Sequence, residues 1–217
     1  MISTSPSACL PPARLLGLLL LLAGGIFGGL LWAVLYFGGL PCDTALLEFW
    51  HRHATPALDK LAVFLTIVGN TGPMVGLGLL VFLGLLARRR GRAAWVFFAS
   101  VGGSMLLTQL IKRLVARPRP ALWVSIRPEH TLSFPSGHAM DTAALATALV
   151  CLCWGSRARW WVWILAPLFS LAVGWARVYL GVHHPSDVLA GWAAAGAWVA
   201  AVQLLARHMP TPAQEQK

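Results

Sequence analysis

The sequence predicts an all-α protein, a six-transmembrane helical bundle with one interfacial helix, and three observations carry that reading. The chain of 217 residues is 58% hydrophobic and only 11% charged, less than half the roughly 25% of charged residues in a soluble domain. Its mean hydropathy is +0.69. Apolar runs with the length of a bilayer crossing recur along the chain, each closed by basic or turn-forming residues. Finally, the titratable residues collect at the junctions between runs, where charge is costly and therefore points to function. A net charge of +10 does not indicate nucleic acid, because the basic residues form short clusters and no continuous face.

The first run, residues 15–37, follows Arg14 and makes a helix of about 34 Å at 1.5 Å per residue, enough to span. It is longer than the apolar region of a signal peptide and no small-residue cleavage pattern follows, so it reads as a retained helix. Its pairs Gly24/Gly28 and Gly25/Gly29 predict close helix contact. Residues 41–60 are mixed. Asp43 is placed to cap a short amphipathic helix with Leu46, Leu47, Phe49 and Trp50 on its apolar side, lying in the interface. His51, Arg52 and His53 diverge around that helix and read as a solvated face.

A second span is expected at 61–87, interrupted early by Asn70-Thr71-Gly72-Pro73, then a stop at Arg88-Arg89-Arg90-Gly91-Arg92. The third covers 93–111 and runs into Lys112. A polar, proline-bearing loop leads to the fourth at 137–154, the fifth follows at 160–180, and a turn at 181–186 opens the sixth at 187–206. The organisation is thus a tail 1–14, a membrane domain 15–206 and a tail 207–217. The cysteines Cys9, Cys42, Cys151 and Cys153 match no zinc spacing and read as buried apolar side chains. Cys9 precedes the first apolar run, unlike a lipoprotein cleavage site.

Six crossings put both termini on one side. The compact Arg88–Arg92 loop lies on that side and marks it as cytoplasmic. By the same alternation the segments 112–120, 135–138 and 177–187 share the opposite side. Lys112 and Arg119 supply two cations, and Pro118 and Pro120 stiffen the chain around Arg119. Pro135-Ser136-Gly137-His138 looks like a helix start, with Ser136 as cap, Gly137 open to a ligand and free amides pointing outward. Arg177 adds a bidentate oxyanion clamp. Three cations and a helix N-terminus describe a pocket for phosphate that needs no metal. In the same cluster His183 stands four residues before Asp187, the spacing of a nucleophile and its orienting carboxylate.

The pattern Lys112-x6-Arg119-Pro120, Pro135-Ser136-Gly137-His138 and Arg177-x5-His183-x3-Asp187 resembles the type 2 phosphatidic acid phosphatase family, over about residues 43–206. That superfamily includes membrane lipid phosphatases, glucose-6-phosphatase and vanadium haloperoxidases. The resemblance implies an inner-membrane enzyme of bacterial type with its active site at the periplasmic membrane edge. It would hydrolyse a lipid phosphate or pyrophosphate drawn from the bilayer, with undecaprenyl pyrophosphate favoured over phosphatidylglycerol phosphate and phosphatidic acid. No cofactor or metal is implied. His183 would attack phosphorus, Asp187 would hold the other ring N–H, and His138 would protonate the leaving oxygen and then activate water. Lys112, Arg119, Arg177 and the Ser136 and Gly137 backbone would stabilise the phosphoryl charge. Phosphotransfer through the same phosphohistidine, or anion binding without turnover, are the alternatives. One departure stands out: the family usually has Ser before the Arg of its third motif, where this chain has Ala176, losing one hydroxyl donor. His184, three residues before Asp187, is expected in a structural role. Asp141 reads as a carboxylate favouring the helix dipole, with a role toward His138 as the alternative.

Overall fold

The structure, a computed structural model, describes residues 10–209. Cys9 and the outer parts of both tails lie outside the described residues. Among those described there are eight helices and no strand: α1 (Ala13–Phe37), α2 (Asp43–Arg52), α3 (Pro56–Val68), α4 (Thr71–Ala87), α5 (Gly91–Val115), α6 (Gly137–Leu152), α7 (Arg159–Tyr179) and α8 (Pro185–His208). The helices α1, α5, α7 and α8 are each long and apolar enough to cross a membrane. Leucine, isoleucine and tryptophan side chains project from α1 and α7 with half or more of their surface exposed, as suits helices facing lipid.

The expected second span is two helices. Residues α3 and α4 meet at a break bent by 47°. Gly69 ends α3 and Pro73 enters α4 in its first turn, where a missing N–H costs nothing, so the sequence stops one helix and starts another. The first of the pair also begins earlier than expected, because Thr55 caps it through Oγ1 to the Leu58 amide (3.3 Å) and Pro56 fixes its first turn. The short helix α2 is present, but Asp43 is its first residue rather than its cap, and Cys42 occupies that place.

The helix α6 has only 16 residues and is buried nearly all round, from His138 to Ala148. Alanines and Gly191 let α8 lie close against it. A β-carbon on Gly191 would sit 2.8 Å from the Ser136 carbonyl oxygen and 3.2 Å from the Ala139 β-carbon. Replacing Gly191 with alanine is expected to push α8 off the start of α6, lowering stability by about 1–3 kcal/mol. Thermal unfolding in detergent checks this, and activity falls with it if the α6 N-terminus matters. The Gly24/Gly28 and Gly25/Gly29 pairs do not serve the expected contact, since nothing lies within 4 Å of a β-carbon on any of them. The close approach of α1 to α8 uses Gly196 instead, against Ala23 and Leu19.

Four helix ends gather at one end of the bundle: the C-termini of α5 and α7 and the N-termini of α6 and α8. Gly181, at φ +69°, turns the chain out of α7, and Trp123 packs so closely that a β-carbon there would lie 2.5 Å from its ring. That turn sets the register of residues 182–184 before Pro185 starts α8.

Candidate active site

His183 is 1% exposed and sits in the turn between α7 and α8. Its Nε2 lies 3.0 Å from Nη1 of Arg119. A guanidinium only donates, so Nε2 must carry the lone pair and the ring proton belongs on Nδ1. The Nδ1 atom faces Asp187 Oδ2 at 3.5 Å and Ser133 Oγ at 3.4 Å. Burial pushes the His183 imidazole down to about 3, against the pull of the Asp187 carboxylate; the charges of Arg119 and Arg177 act with burial. The ring is therefore neutral, with its lone pair aimed at a cation.

Asp187 is fully buried at the N-terminus of α8. Its Oδ2 accepts from Ser133 Oγ (2.5 Å) and from the His184 amide (2.9 Å), and its Oδ1 from Arg117 Nη1 (2.5 Å). His184 is the N-cap residue of α8, and its amide donates to the Asp187 carboxylate three residues on, the backbone half of a capping box. The structural place expected for it is the one it has.

Arg177 reaches the site from the last turn of α7 and is 0% exposed. Its Nη2 donates to Glu129 Oε1 (2.8 Å) and its Nη1 to Thr66 Oγ1 (3.3 Å). Arg119 is held by the Thr131 carbonyl (2.5 Å), Thr131 Oγ1 (2.8 Å) and the Val182 carbonyl (2.8 Å), with Glu129 Oε2 at 3.9 Å. Burial draws the Arg119 guanidinium below its ordinary value, while Glu129 and Asp187 oppose that shift. Lys112 is buried at the end of α5; its Nζ donates to the Leu132 carbonyl, and its side chain passes Gly137. The structure thus brings Lys112, Arg119, Arg177, His138 and His183 to one place.

His138, in the first turn of α6, lies within electrostatic reach of Arg177, Glu129 and His183. Its Nε2, Ser136 Oγ and Arg177 Nε are all buried without a hydrogen-bond partner among the described residues. Buried polar atoms are usually paired, so three orphans in one site fit a polar ligand. The backbone of Ser136 needs a correction: its N–H donates to the Asp187 carbonyl (3.0 Å), so it is not free for an anion. Nor does its hydroxyl cap α6. The first bond of α6 runs from Met140 to Ser136, which leaves the amides of Gly137, His138 and Ala139 ahead of it.

Asp141 does not turn toward His138. Its Oδ2 accepts from Thr71 Oγ1 (2.8 Å), tying α6 to the start of α4. Ala176 is 0% exposed in an apolar cluster with Ala62, Tyr179, Leu180 and Val182.

Sequence reasoning missed Glu129, Ser133, Arg117 and Asp43. Glu129 carried a signal, as the lone acid between Arg113 and Ser136. Burial resists its ionisation, but the charge and hydrogen bond of Arg177, with His138 and Arg119, hold the carboxyl below its ordinary 4.5. A depressed carboxyl contributes stability that is present above its unfolded value and lost as pH falls through the folded one. His183 acts over a higher window: neutral when folded down to about 3, it takes up a proton on unfolding below 6.5. Stability is expected to drop as pH falls from about 6.5, with the loss from Glu129 added below about 4.5. Thermal midpoints of the wild type and of Glu129→Gln across this range check both signs: the gap between the two proteins should close at the acid end.

Beside the site a cleft of about 510 Å³ opens between the end of α1 and residues 115–122. Val34, Leu35, Val115 and Leu122 form its apolar side, and Arg117, Arg119 and His184 its polar side. It reaches Arg119 but not Arg177, His138 or His183.

The family described as the PAP2 superfamily matches residues 93–208, which include all three clusters. The undecaprenyl-diphosphatase of Sulfolobus acidocaldarius is 32% identical over 162 residues, covering 72% of this chain and 74% of that protein. Phosphatidylglycerophosphatase B of Bacillus subtilis is 29% identical over 142 residues, covering 63% of this chain and 70% of the relative. The crystal structure of a transmembrane PAP2-type phosphatidylglycerolphosphate phosphatase from Bacillus subtilis superposes with a TM-score of 0.78 at 24% identity, over 89% of this chain and 98% of that one. That likeness speaks for the fold. With the family pattern matched across more than half of its length and the fold shared, the chain belongs to the PAP2 superfamily.

Proposed function

We propose that this protein removes phosphate from a lipid phosphate or pyrophosphate through a phosphohistidine on His183. The observation that carries the reading is the 3.0 Å approach of Arg119 Nη1 to His183 Nε2. A phosphoryl oxygen held by that guanidinium brings phosphorus to the lone pair of a ring that is already in the required tautomer.

In the first step Nε2 bonds to phosphorus, the bond to the leaving oxygen breaks, and His138 gives that oxygen a proton. Asp187 stabilises the positive charge the His183 ring acquires. In the second step His138 takes a proton from water, the water oxygen bonds to phosphorus, and the N–P bond breaks. Lys112, Arg119 and Arg177 carry the equatorial charge, with the amides of Gly137 and His138 and the hydroxyl of Ser136. Glu129 accepts from Arg177 Nη2, and Arg177 Nε is left to meet the phosphate group.

The membrane plan that fits is six crossings, by α1, the bent α3–α4 pair as one broken span, α5, α6, α7 and α8, with α2 in the interface. Arginines 88–90 and 92 then mark the cytoplasmic side, and the site faces the periplasm of an inner membrane. The pairing of an apolar cleft wall with Arg119 suits a substrate with a long tail and an anionic head. Undecaprenyl pyrophosphate is the favoured substrate, in line with the name of the Sulfolobus relative. Phosphate release by purified protein from undecaprenyl pyrophosphate, phosphatidylglycerol phosphate and phosphatidic acid tests this. The first is expected to turn over fastest, and no release from any of the three would sink the reading.

A further inference from the structure

We infer that Arg117 and Asp43, which no motif in the sequence assigns, are positioning residues that fix the Asp187 carboxylate for its work on His183. The inference rests on the chemistry proposed at His183. It starts from a buried network that gathers α1, α2, the loop after α5 and α8. Arg117 is 7% exposed. Its Nη1 donates to Asp187 Oδ1 (2.5 Å) and Ser186 Oγ (2.9 Å), and its Nη2 to the Gly38 carbonyl (2.5 Å) and Asp43 Oδ2 (3.2 Å). Asp43 is 3% exposed and accepts from the Ser186 amide (2.9 Å), Ser186 Oγ (2.5 Å) and the Leu40 amide (3.1 Å). Gly39, at φ +145°, lets the chain pass: a β-carbon there would lie 2.5 Å from Asp43 Oδ2 and closer still to Arg117.

Two features go beyond a structural staple. The first is geometric. Ser133 and the His184 amide fix Oδ2 of Asp187 on one side, and Arg117 fixes Oδ1 on the other, so the carboxylate cannot rotate away from His183 Nδ1. The second is electrostatic. An arginine alone on Asp187 would cancel the charge that must support the imidazolium formed when Nε2 bonds to phosphorus. Asp43 shares that arginine, and the three residues together keep one net negative charge beside the ring. Arg117 holds the carboxylate in place, and Asp43 prevents the hold from neutralising it. None of these atoms belongs to Lys112, Arg119 or Arg177, and Arg119 is anchored separately by Thr131 and Val182.

The network should therefore govern the chemical step and leave phosphate binding alone. The test uses purified full-length protein in detergent with the best lipid of the panel, and inorganic phosphate as competitive inhibitor. Asp43→Asn and Arg117→Lys are each expected to lower kcat by about ten-fold or more, while KM and the inhibition constant of phosphate stay within about two-fold. Ser186→Ala removes one hydroxyl but keeps both ion pairs, and should lower kcat by about two- to five-fold with the same split. It decides the matter if the other two variants do not fold. Values of kcat within two-fold of wild type in the folded variants overturn the positioning role, as does a loss of kcat matched by an equal weakening of phosphate inhibition. A wild-type protein that releases no phosphate at all overturns the proposed function, and this role with it.

Discussion

Replacing His183 with alanine is expected to reduce lipid phosphate hydrolysis by roughly 10⁴-fold or more, the scale seen when a covalent nucleophile is removed. The neighbouring His184→Ala should cost only a few-fold. The contrast is informative because the two rings are adjacent and both face Asp187, at 3.5 and 3.4 Å from Oδ2. Of the two, His183 is the one whose Nε2 faces Arg119, at 3.0 Å, the cation proposed to hold the phosphate. The useful contribution of His184 is its backbone N–H, which donates to Asp187 and survives the substitution. If the two variants lose activity equally, the nucleophile has been misassigned. A second readout separates loss of chemistry from loss of fold. His183→Ala leaves Lys112, Arg119 and Arg177 in place, so inorganic phosphate should still protect the variant against thermal unfolding.

The parts of this site that were legible in the sequence share one physical cause. Lys112, Ser136, His138, Arg177, His183 and Asp187 stand at or beside the ends of apolar runs, where an unpaired charge is expensive, and Arg119 follows in the polar loop between two of them. Counting spans then brought them to one side without any knowledge of contacts. What stayed hidden was the set of partners. Glu129 meets Arg177 across 48 positions and Asp43 meets Ser186 across 143, and nothing local marks such pairs. Asp43 looked like a helix cap, because a capping carboxylate and a buried one are identical in sequence. The break between α3 and α4 was visible as Asn70 to Pro73, but its 47° bend was not. The glycine pairs of α1 misled: a small residue permits close contact, and the partner helix decides whether it happens. Ala176 shows the converse. A departure from the family pattern that suggested a weaker phosphate site lies in a buried apolar cluster that includes Ala62 of α3.

Arg177 carries the other large effect, and here stability and activity should separate. Its guanidinium is 0% exposed, and among the described residues its charge is met at hydrogen-bond distance by Glu129 alone, at 2.8 Å. Arg177→Ala is expected to lower kcat/KM by about 10²- to 10³-fold, as when a charge-stabilising donor is lost. It should also destabilise the fold by about 3 kcal/mol, the lower end for breaking a buried pair, since the Glu129 side chain keeps 22% exposure. Arg177→Lys retains the charge but not the fork, so it should recover much of the stability and little of the activity. The decisive protein is the double variant Arg177→Ala with Glu129→Ala. Removing the orphaned carboxylate should restore part of the lost stability, because the uncompensated charge is gone. It should restore no activity, because the phosphate has still lost its clamp. If activity returns in the double variant, Arg177 serves only to hold Glu129 aside, and the oxyanion contacts must be assigned to Lys112 and Arg119 alone. If neither property changes from the single variant, Glu129 does not depend on Arg177 for its charge, and the picture of a carboxylate resting in the phosphate clamp fails.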